Sequence, residues 1–359
     1  MVAMQQNAFS LCRSEASHNS IGDQMAFAPD ERVNYLRVLK SLGFPAMTVV
    51  ADRRTIAPLF PGKTRRTGVY VLALDDGLFY MGLAKDAVRR FGQHRRTFGR
   101  RIVGFAFKAT AIRELEVVER DAIRLAERAG LPLEQVEWKS VVYGDSDLDD
   151  VLTADEFAIW RASPTHSVDA RVRSSLISDA GRASRDRSNF SKLRDRPDAE
   201  DVIRLLRRYT LECVPSARIT EHDFWSVSCL PSTNRTTWPR IACFNAHVME
   251  VLVLGFLKAD AKTAWGFLNV ASSAIEAEFK SLAKARRALK VASITETAYR
   301  SAGHDQCNIS FRGLSSLERL LDAPAVCEAA QLLLYRVMRK GVTPYAKFHC
   351  TALADVLLA

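Results

Sequence analysis

Several features that mark other classes of protein are missing from this 359-residue chain. It contains no run of eighteen apolar residues, so we expect no transmembrane helix and no membrane partner. Its first residues lack a basic start followed by an apolar core, so a secretory signal is not expected. The seven cysteines are widely spaced and include no CxxC pair, which favours reduced thiols in a cytoplasmic protein.

Acidic residues are also comparatively few. The chain has 41 Asp and Glu against 51 Lys and Arg, which gives a net charge of +10. An excess of positive charge favours an anionic partner such as nucleic acid, and it does not bear on the fold. Hydrophobic residues make up 48% of the chain, as in globular proteins, and the length is sufficient for two domains.

Composition divides the chain into four segments. Residues 1–28 are expected to form a flexible tail, and residues 29–160 a first domain that begins with a helical extension. Residues 161–200 are rich in Ser, Arg and Asp and are predicted to be a polar linker. The arginines of this linker could contact phosphates, although a solvated linker is the simpler interpretation. Residues 201–359 are predicted to form a second domain, with a role in target recognition as one option.

Hydrophobic periodicity predicts an α+β fold in both domains. In the first domain, the extension carries a helix over 29–43 and a short strand over 45–50, and residues 134–160 add a strand, an acidic turn and a helix. In the second, strands are predicted at 224–230, 240–246, 249–257, 264–271 and 305–313. Helices are predicted at 202–211, 275–289 and 314–340, the last interrupted at Pro324.

The centre of the first domain is a predicted β-hairpin followed by a helix. Residues 69–74 and 78–81 are strand-forming, and Asp75-Asp76-Gly77 between them is a turn signal. Asp86 is a plausible N-cap for the next helix. A third strand over 102–109 and a helix over 112–129 follow. The order β-β-α-β-α indicates a small antiparallel three-stranded sheet flanked by helices.

Five side chains on these elements form an ordered set. Tyr70 and Tyr80 lie on the paired strands, and Arg90 and His94 share one helix face at i, i+4. Glu119 follows on the later helix. The two tyrosines alone have an easy structural explanation, because aromatic residues are ordinary in sheets. The functional interpretation therefore depends more on Arg90 and Glu119.

This set resembles the GIY-YIG nuclease family over roughly residues 64–136. The two motifs are Gly68-Val69-Tyr70 and Tyr80-Met81-Gly82. The Arg stands about ten residues after the second-motif Tyr, the His one helical turn later, and the Glu within an apolar pattern over residues 117–123. The chain departs from the pattern at Val69 and Met81, and residues 130–135 lack the Asn that many members carry.

The resemblance implies a metal-dependent endonuclease with one Mg²⁺ or Mn²⁺ ion held by Glu119. It implies that Arg90 binds the scissile phosphate and that Tyr80 is the base, with Tyr70 as its positioning partner, although the reverse assignment stays open. His94 would hydrogen-bond the attacking water or a tyrosine. A histidine that simply covers the sheet edge is the alternative interpretation for this residue.

Further basic residues flank this set. A charge run is usually a solvated helix face, but here it surrounds a candidate phosphodiester site, which favours contacts with a nucleic-acid backbone. We expect double-stranded DNA as the partner, and a homodimer is one route to double-strand cleavage. The residues predicted to bind nucleic acid are Lys85, Arg89, Arg95, Arg96, Arg100 and Arg101.

Two other functions remain compatible with the sequence. The first is a nucleic-acid-binding protein that keeps the scaffold without cutting, which would show salt-sensitive binding and no Mg²⁺-dependent product. The second is a regulatory or interaction protein whose second domain binds a partner. Convergence of Tyr70, Tyr80, Arg90 and Glu119 on one accessible place is the geometric requirement for the enzyme.

Overall fold

The computed structural model describes residues 29–135, 137–142, 144–164, 180–233, 236–257 and 260–359. The predicted tail, residues 1–28, lies outside these ranges. The chain divides into two compact units, Met1–Ala122 and Ile123–Ala359, and each is treated by itself below. Among the described helices, none has the length and apolar character needed to cross a membrane.

The first unit is built on a four-stranded antiparallel sheet in the order β1-β4-β2-β3. The α+β class is confirmed, but the sheet has four strands and not three. The additional strand comes from the N-terminal extension, where Thr48 pairs with Phe105 of β4 and so completes the sheet edge. The elements are α1 Pro29–Ser41, β1 Thr48–Val49, β2 Gly68–Leu74, β3 Phe79–Ala84, α2 Ala87–Thr97, β4 Ile102–Ala109 and α3 Leu115–Arg128, of which the residues from Ile123 onward are assigned to the second unit.

The central strand β2 is buried at every position, so both faces of the sheet are covered. On one face Phe60 packs edge-on against Phe105 and Phe107, with ring centroids 6.4 and 5.0 Å apart. Phe91 of α2 packs edge-on against Phe105 on the same core cluster. Because each such aromatic ring buries a large apolar area, this cluster fixes the position of α2 over the sheet.

Close packing requires glycine at Gly68, the first residue of β2. A Cβ atom on Gly68 would lie 2.2 Å from the carbonyl oxygen of Lys108 and 2.7 Å from the Phe107 ring. Any side chain at this position would therefore push β2 and β4 apart. The first motif glycine thus has a structural role at the edge where β2 begins.

The second unit is built on a six-stranded antiparallel sheet in the order β5-β6-β7-β8-β10-β9. Its strands are β5 Trp225–Cys229, β6 Arg240–Ala246, β7 Met249–Leu257, β8 Asp260–Val270, β9 Ser293–Glu296 and β10 Cys307–Arg312. Its helices are α4 Ala154–Ala162, α5 Ala180–Arg194, α6 Ala199–Cys213, α7 Ala217–Thr220, α8 Ser272–Phe279, α9 Leu282–Leu289, α10 Leu314–Leu321, α11 Pro324–Met338 and α12 Thr351–Leu358.

Several predicted boundaries in the second half differ from the structure. Strand β9 was not expected, and the helix predicted over 275–289 is two helices because Lys280 adopts a left-handed conformation with φ 68°. The strand expected after residue 134 is absent from the described part of 134–150. The break at Pro324 is as predicted, since α10 ends at Leu321 and α11 begins at Pro324.

The domain limits also differ from those that composition suggested. We expected residues up to 160 to belong to the first domain, but Leu148, Phe157 and Trp160 lie in the core of the second unit. The predicted linker contains helix α5, whose Leu193 is fully buried in the same core. The polar composition of α5 misled the prediction because only one face of this helix packs, through a few residues. Residues 165–179 of the predicted linker lie outside the described ranges.

Candidate active site

The two tyrosines stand side by side on the hairpin of β2 and β3. Tyr70 is paired with Gly82 and Leu72 with Tyr80, so both tyrosines project from the same face. Their ring centroids are 6.3 Å apart and their planes differ by 22°. A Cβ atom on Gly82 would lie 2.6 Å from the Tyr70 hydroxyl oxygen, so this glycine leaves the space that the Tyr70 ring occupies.

Helix α2 places two more side chains against Tyr70. It begins at the predicted N-cap, where the Asp86 carboxylate accepts a hydrogen bond from the Arg89 amide at 3.0 Å. One turn into the helix, Arg90 Nε donates to the Tyr70 hydroxyl oxygen at 3.3 Å. One turn further, His94 Nε2 lies 2.5 Å from the same oxygen. The sequence predicted that Arg90 and His94 share one helix face, and in the structure this i, i+4 spacing brings both groups to one phenol.

Burial determines the protonation states in this cluster. Burial, assisted by the charge of Arg90, lowers the pKa of His94 from 6.5 to about 4, so the ring is neutral at pH 7. Burial, together with Tyr80, raises the pKa of Tyr70 well above its usual 10, although Arg90 opposes this shift. Tyr70 therefore keeps its proton. In the His94 tautomer that carries its proton on Nδ1, the phenol donates its own proton to His94 Nε2.

Glu119 reaches the same place from helix α3. Its Oε1 accepts a hydrogen bond from the backbone amide of Leu83 at 2.9 Å, on the strand residue that follows Gly82. Its negative charge contributes to the raised pKa of Tyr70, which places the two groups within electrostatic range. Glu119 is half-buried and does not lie in the core. Tyr80 is half-buried and Arg90 is exposed, so the set converges on an accessible part of the sheet.

The donor set at this site suits one kind of metal ion. The described residues hold no group of three His, Cys, Asp or Glu side chains that could bind a metal by themselves. Mg²⁺ is usually bound through one or two carboxylates, with water and substrate phosphate as the remaining ligands. A single carboxylate, already oriented by a backbone amide, fits an ion held jointly by Glu119 and a bound phosphate.

The flanking basic residues differ in exposure and in their partners. Lys85, Arg89, Arg96 and Arg100 are exposed, as contact with a nucleic-acid backbone would require. Arg95 is half-buried, and its Nη1 has no hydrogen-bond partner within the described residues. Arg101 differs, because it forms an ion pair with Asp76 and lies 3.9 Å from Asp75 in the hairpin turn. That pairing gives Arg101 a structural role at the turn.

Three residues of this site were not singled out from the sequence. Phe98 stacks on the His94 ring at 5.6 Å, with planes 16° apart, and also lies 5.6 Å from the Tyr80 ring. Gln93 accepts a hydrogen bond from Arg90 Nη1 at 3.1 Å. Helical spacing from Arg90 and His94 was an available signal for both. The Leu83 amide gave no signal, because a backbone donor is not visible in a sequence.

The state of His94 makes the stability of this unit depend on pH. Its pKa is about 4 in the folded protein against 6.5 for an exposed histidine, so the unfolded chain binds a proton more readily between these values. We expect full stability above pH 6.5 and a progressive loss, up to about 3 kcal/mol, as the pH falls towards 4. Urea unfolding at several pH values and NMR titration of the His94 ring measure both effects.

The matched control is His94→Gln, which should lose this part of the pH dependence while other titrating groups stay unchanged. A His94 ring that titrates near pH 6.5 would show that the ring is not buried against Tyr70 and Arg90.

Comparison with known proteins identifies no relative: no family model, no curated protein and no solved structure matches the chain. The chemistry of the site is therefore inferred from its side chains and the distances between them.

Proposed function

We propose that the protein is a metal-dependent endonuclease that hydrolyses phosphodiester bonds in DNA. The observation that supports this proposal is that Arg90, Tyr70 and Glu119 lie close to Gly82. Arg90 donates a hydrogen bond to Tyr70 at 3.3 Å, and the Leu83 amide, next to Gly82, donates one to Glu119 at 2.9 Å. Phosphodiester hydrolysis needs a base that takes the proton of the attacking water. It also needs positively charged groups beside the phosphate, to stabilise the transition state, and a ligand for the metal ion. These three requirements correspond to the tyrosines, Arg90 and Glu119.

Arg90 is the phosphate ligand in this proposal. Its Nε is bonded to Tyr70 and its Nη1 to Gln93, so the planar guanidinium is held in one orientation. The side chain is nevertheless exposed, and its remaining N–H groups can donate to a phosphate oxygen. The hydrogen bond with Tyr70 raises the pKa of Arg90, so its charge is constant across the physiological range.

Tyr80 suits the role of base better than Tyr70. Tyr70 is only 2% exposed, and its raised pKa and donation to His94 keep it protonated. Tyr80 is more accessible, and in its phenolate form it can receive the proton of an attacking water. A tyrosine with the usual pKa near 10 needs neighbouring positive charge for this task. Arg90 provides this positive charge. Its guanidinium interacts with Tyr70 and also with Tyr80, and both interactions raise the pKa of Arg90.

Glu119 would hold Mg²⁺ or Mn²⁺ in this proposal. The bound ion would supply positive charge to the phosphate and the leaving oxygen. The contribution of the protein is to fix one carboxylate, through the Leu83 amide, beside the place where Arg90 holds the phosphate. His94 remains neutral and acts through Tyr70, whose hydroxyl it orients.

Partners and location follow from the same proposal. Lys85, Arg89, Arg95, Arg96 and Arg100 would contact the DNA backbone around the scissile phosphate, and the second unit would select the target. One such site cuts one strand, so double-strand cleavage would involve a homodimer or two events. The described cysteines are free thiols, which supports a cytoplasmic protein.

The most direct test of the metal ligand is Glu119→Gln. The amide keeps the size of the side chain and an oxygen acceptor for the Leu83 amide, but it removes the charge that binds the ion. We expect cleavage of supercoiled plasmid in Mg²⁺ to fall by at least about 10²-fold, since one charged group at the transition state commonly has that effect. Arg90→Lys should give a loss of similar order, because the guanidinium fork is removed.

Glu116→Gln is the matched control, since Glu116 is an exposed carboxylate one turn earlier on α3. It should cleave like the unaltered protein. Undiminished cleavage by Glu119→Gln would contradict the assignment of Glu119 as the metal ligand, and with it the proposed site. Salt-sensitive DNA binding without any Mg²⁺-dependent product would favour a non-cutting nucleic-acid-binding protein, and no binding at all a regulatory protein.

The two tyrosines are separated by Tyr80→Phe and Tyr70→Phe. Both changes keep the aromatic packing and remove one hydroxyl group. If Tyr80 is the base, Tyr80→Phe should lower the single-turnover cleavage rate by about 10²-fold or more. Tyr70→Phe should have a smaller effect and should also raise the pKa of the His94 ring, because His94 loses its proton donor. A larger rate loss in Tyr70→Phe would reverse the assignment.

A further inference from the structure

The second unit carries a basic surface that the proposed chemistry does not use. It lies on helices α5 and α6, and α5 alone has five Arg or Lys residues against one acidic residue. The exposed basic side chains of α5 are Arg185, Arg187, Lys192 and Arg194. Composition suggested a solvated linker here, but the helix is part of the folded unit, so these charges occupy defined positions.

Two adjoining grooves run along this surface. The larger has a volume of about 550 Å³; Phe190, Ile203 and Val356 form its apolar part, and its polar lining is Arg194, Glu200, Arg204 and Arg207. The smaller, of about 390 Å³, is lined by Arg187, Phe190, Ser191, Arg194 and Asp195. Both grooves include Phe190 and Arg194 in their lining, so they adjoin at these two residues, and we call the pair the α5–α6 groove.

The arginines around this groove are not equivalent. Arg204 donates to Glu318 at 2.7 Å, and its neighbour Arg208 donates to Asp322 at 2.9 Å, so their charges are compensated. Arg187, Arg194 and Arg207 are exposed and make no ion pair within the described residues. Glu200 and Asp195 are the acidic side chains that line the groove. Three guanidinium groups therefore remain available to an anionic ligand.

The helix that displays these charges is firmly held. Leu193 is fully buried, and the Asn189 side chain donates to the Cys229 carbonyl oxygen of β5 at 3.2 Å. On the same side, the Asp186 carbonyl oxygen accepts a hydrogen bond from the Cys350 thiol at 3.7 Å. Because α5 is anchored along its length, Arg187 and Arg194 keep a fixed spacing of two helical turns.

We propose that the α5–α6 groove binds nucleic acid through its phosphate backbone. Arginine forks match phosphate oxygens, and the partly exposed Phe190 ring offers an apolar surface for a sugar or an unpaired base. An acidic polypeptide would use the charges but not the aromatic floor. The proposal adds a DNA-binding surface to the proposed nuclease and depends on that function only for the identity of the ligand.

Salt-dependent binding of the full-length protein to a fluorescein-labelled DNA duplex, in EDTA to prevent cleavage, tests this surface. The variant carries Arg187→Gln, Arg194→Gln and Arg207→Gln. Loss of three phosphate contacts should weaken binding by about tenfold or more, and the slope of log K against log salt should become shallower by about 2.7.

The matched control removes the same charge from another helix of the second unit. This control variant carries three substitutions at exposed residues of α9: Lys284→Gln, Arg286→Gln and Arg287→Gln. This control should stay within about threefold of the unaltered protein. The proposal would be overturned if both triple variants bound DNA equally weakly, or if the α5–α6 variant kept the affinity of the unaltered protein. It would also be overturned if the unaltered protein did not bind DNA. The proposal would also be overturned if unlabelled polyglutamate displaced the labelled duplex from the unaltered protein as effectively as unlabelled DNA does.

The binding measurement is independent of cleavage. If the unaltered protein gives no Mg²⁺-dependent product but binds DNA, and the α5–α6 variant binds it weakly, the nuclease proposal fails and the groove remains a nucleic-acid surface. If Glu119→Gln is inactive and the α5–α6 variant binds normally, the groove proposal fails alone. Circular dichroism of the two triple variants should match the unaltered protein, because every side chain that they alter is exposed.

Discussion

The candidate site depends on one buried phenol. The Tyr70 hydroxyl receives a hydrogen bond from Arg90 and donates one to His94, and Gly82 leaves the space in which its ring lies. Because Tyr70 is enclosed, it stays protonated, and His94 stays neutral. The same enclosure leaves Tyr80 and Arg90 as the accessible groups. One strand tyrosine therefore contacts both helix residues of the site, and its burial distinguishes it from Tyr80, the proposed base.

The sequence predicted the parts of this site that follow from local rules. The turn at residues 75–77, the Asp86 cap and the i, i+4 spacing of Arg90 and His94 are all local, and each is present in the structure. Contacts distant in sequence were not predictable in the same way. The Leu83 amide donates a hydrogen bond to Glu119, which is 36 residues later in the sequence. Strand β1 pairs with β4, and the alternation of apolar and polar residues along a strand does not specify its partner.

The second unit shows a different limit of sequence reasoning. Low hydrophobicity over residues 161–200 suggested a linker, but one helix can be held by a few buried residues such as Leu193 while all its other faces are polar. The error matters for function. In a solvated linker the arginines would be mobile and partly compensated by nearby Asp residues, whereas on α5 they are displayed in a fixed pattern. The described part of the chain thus displays one basic region beside Arg90 and another at the α5–α6 groove.

The central claim is that Glu119 binds a divalent ion beside the tyrosine–arginine cluster. Paramagnetic broadening of backbone NMR signals by Mn²⁺, in the presence of a short DNA duplex, reports the ion's position directly. The account predicts that the Leu83 amide signal broadens in the unaltered protein and recovers in Glu119→Gln, since this amide is hydrogen-bonded to the carboxylate. Equal broadening in both proteins, or broadening confined to other residues, would contradict it.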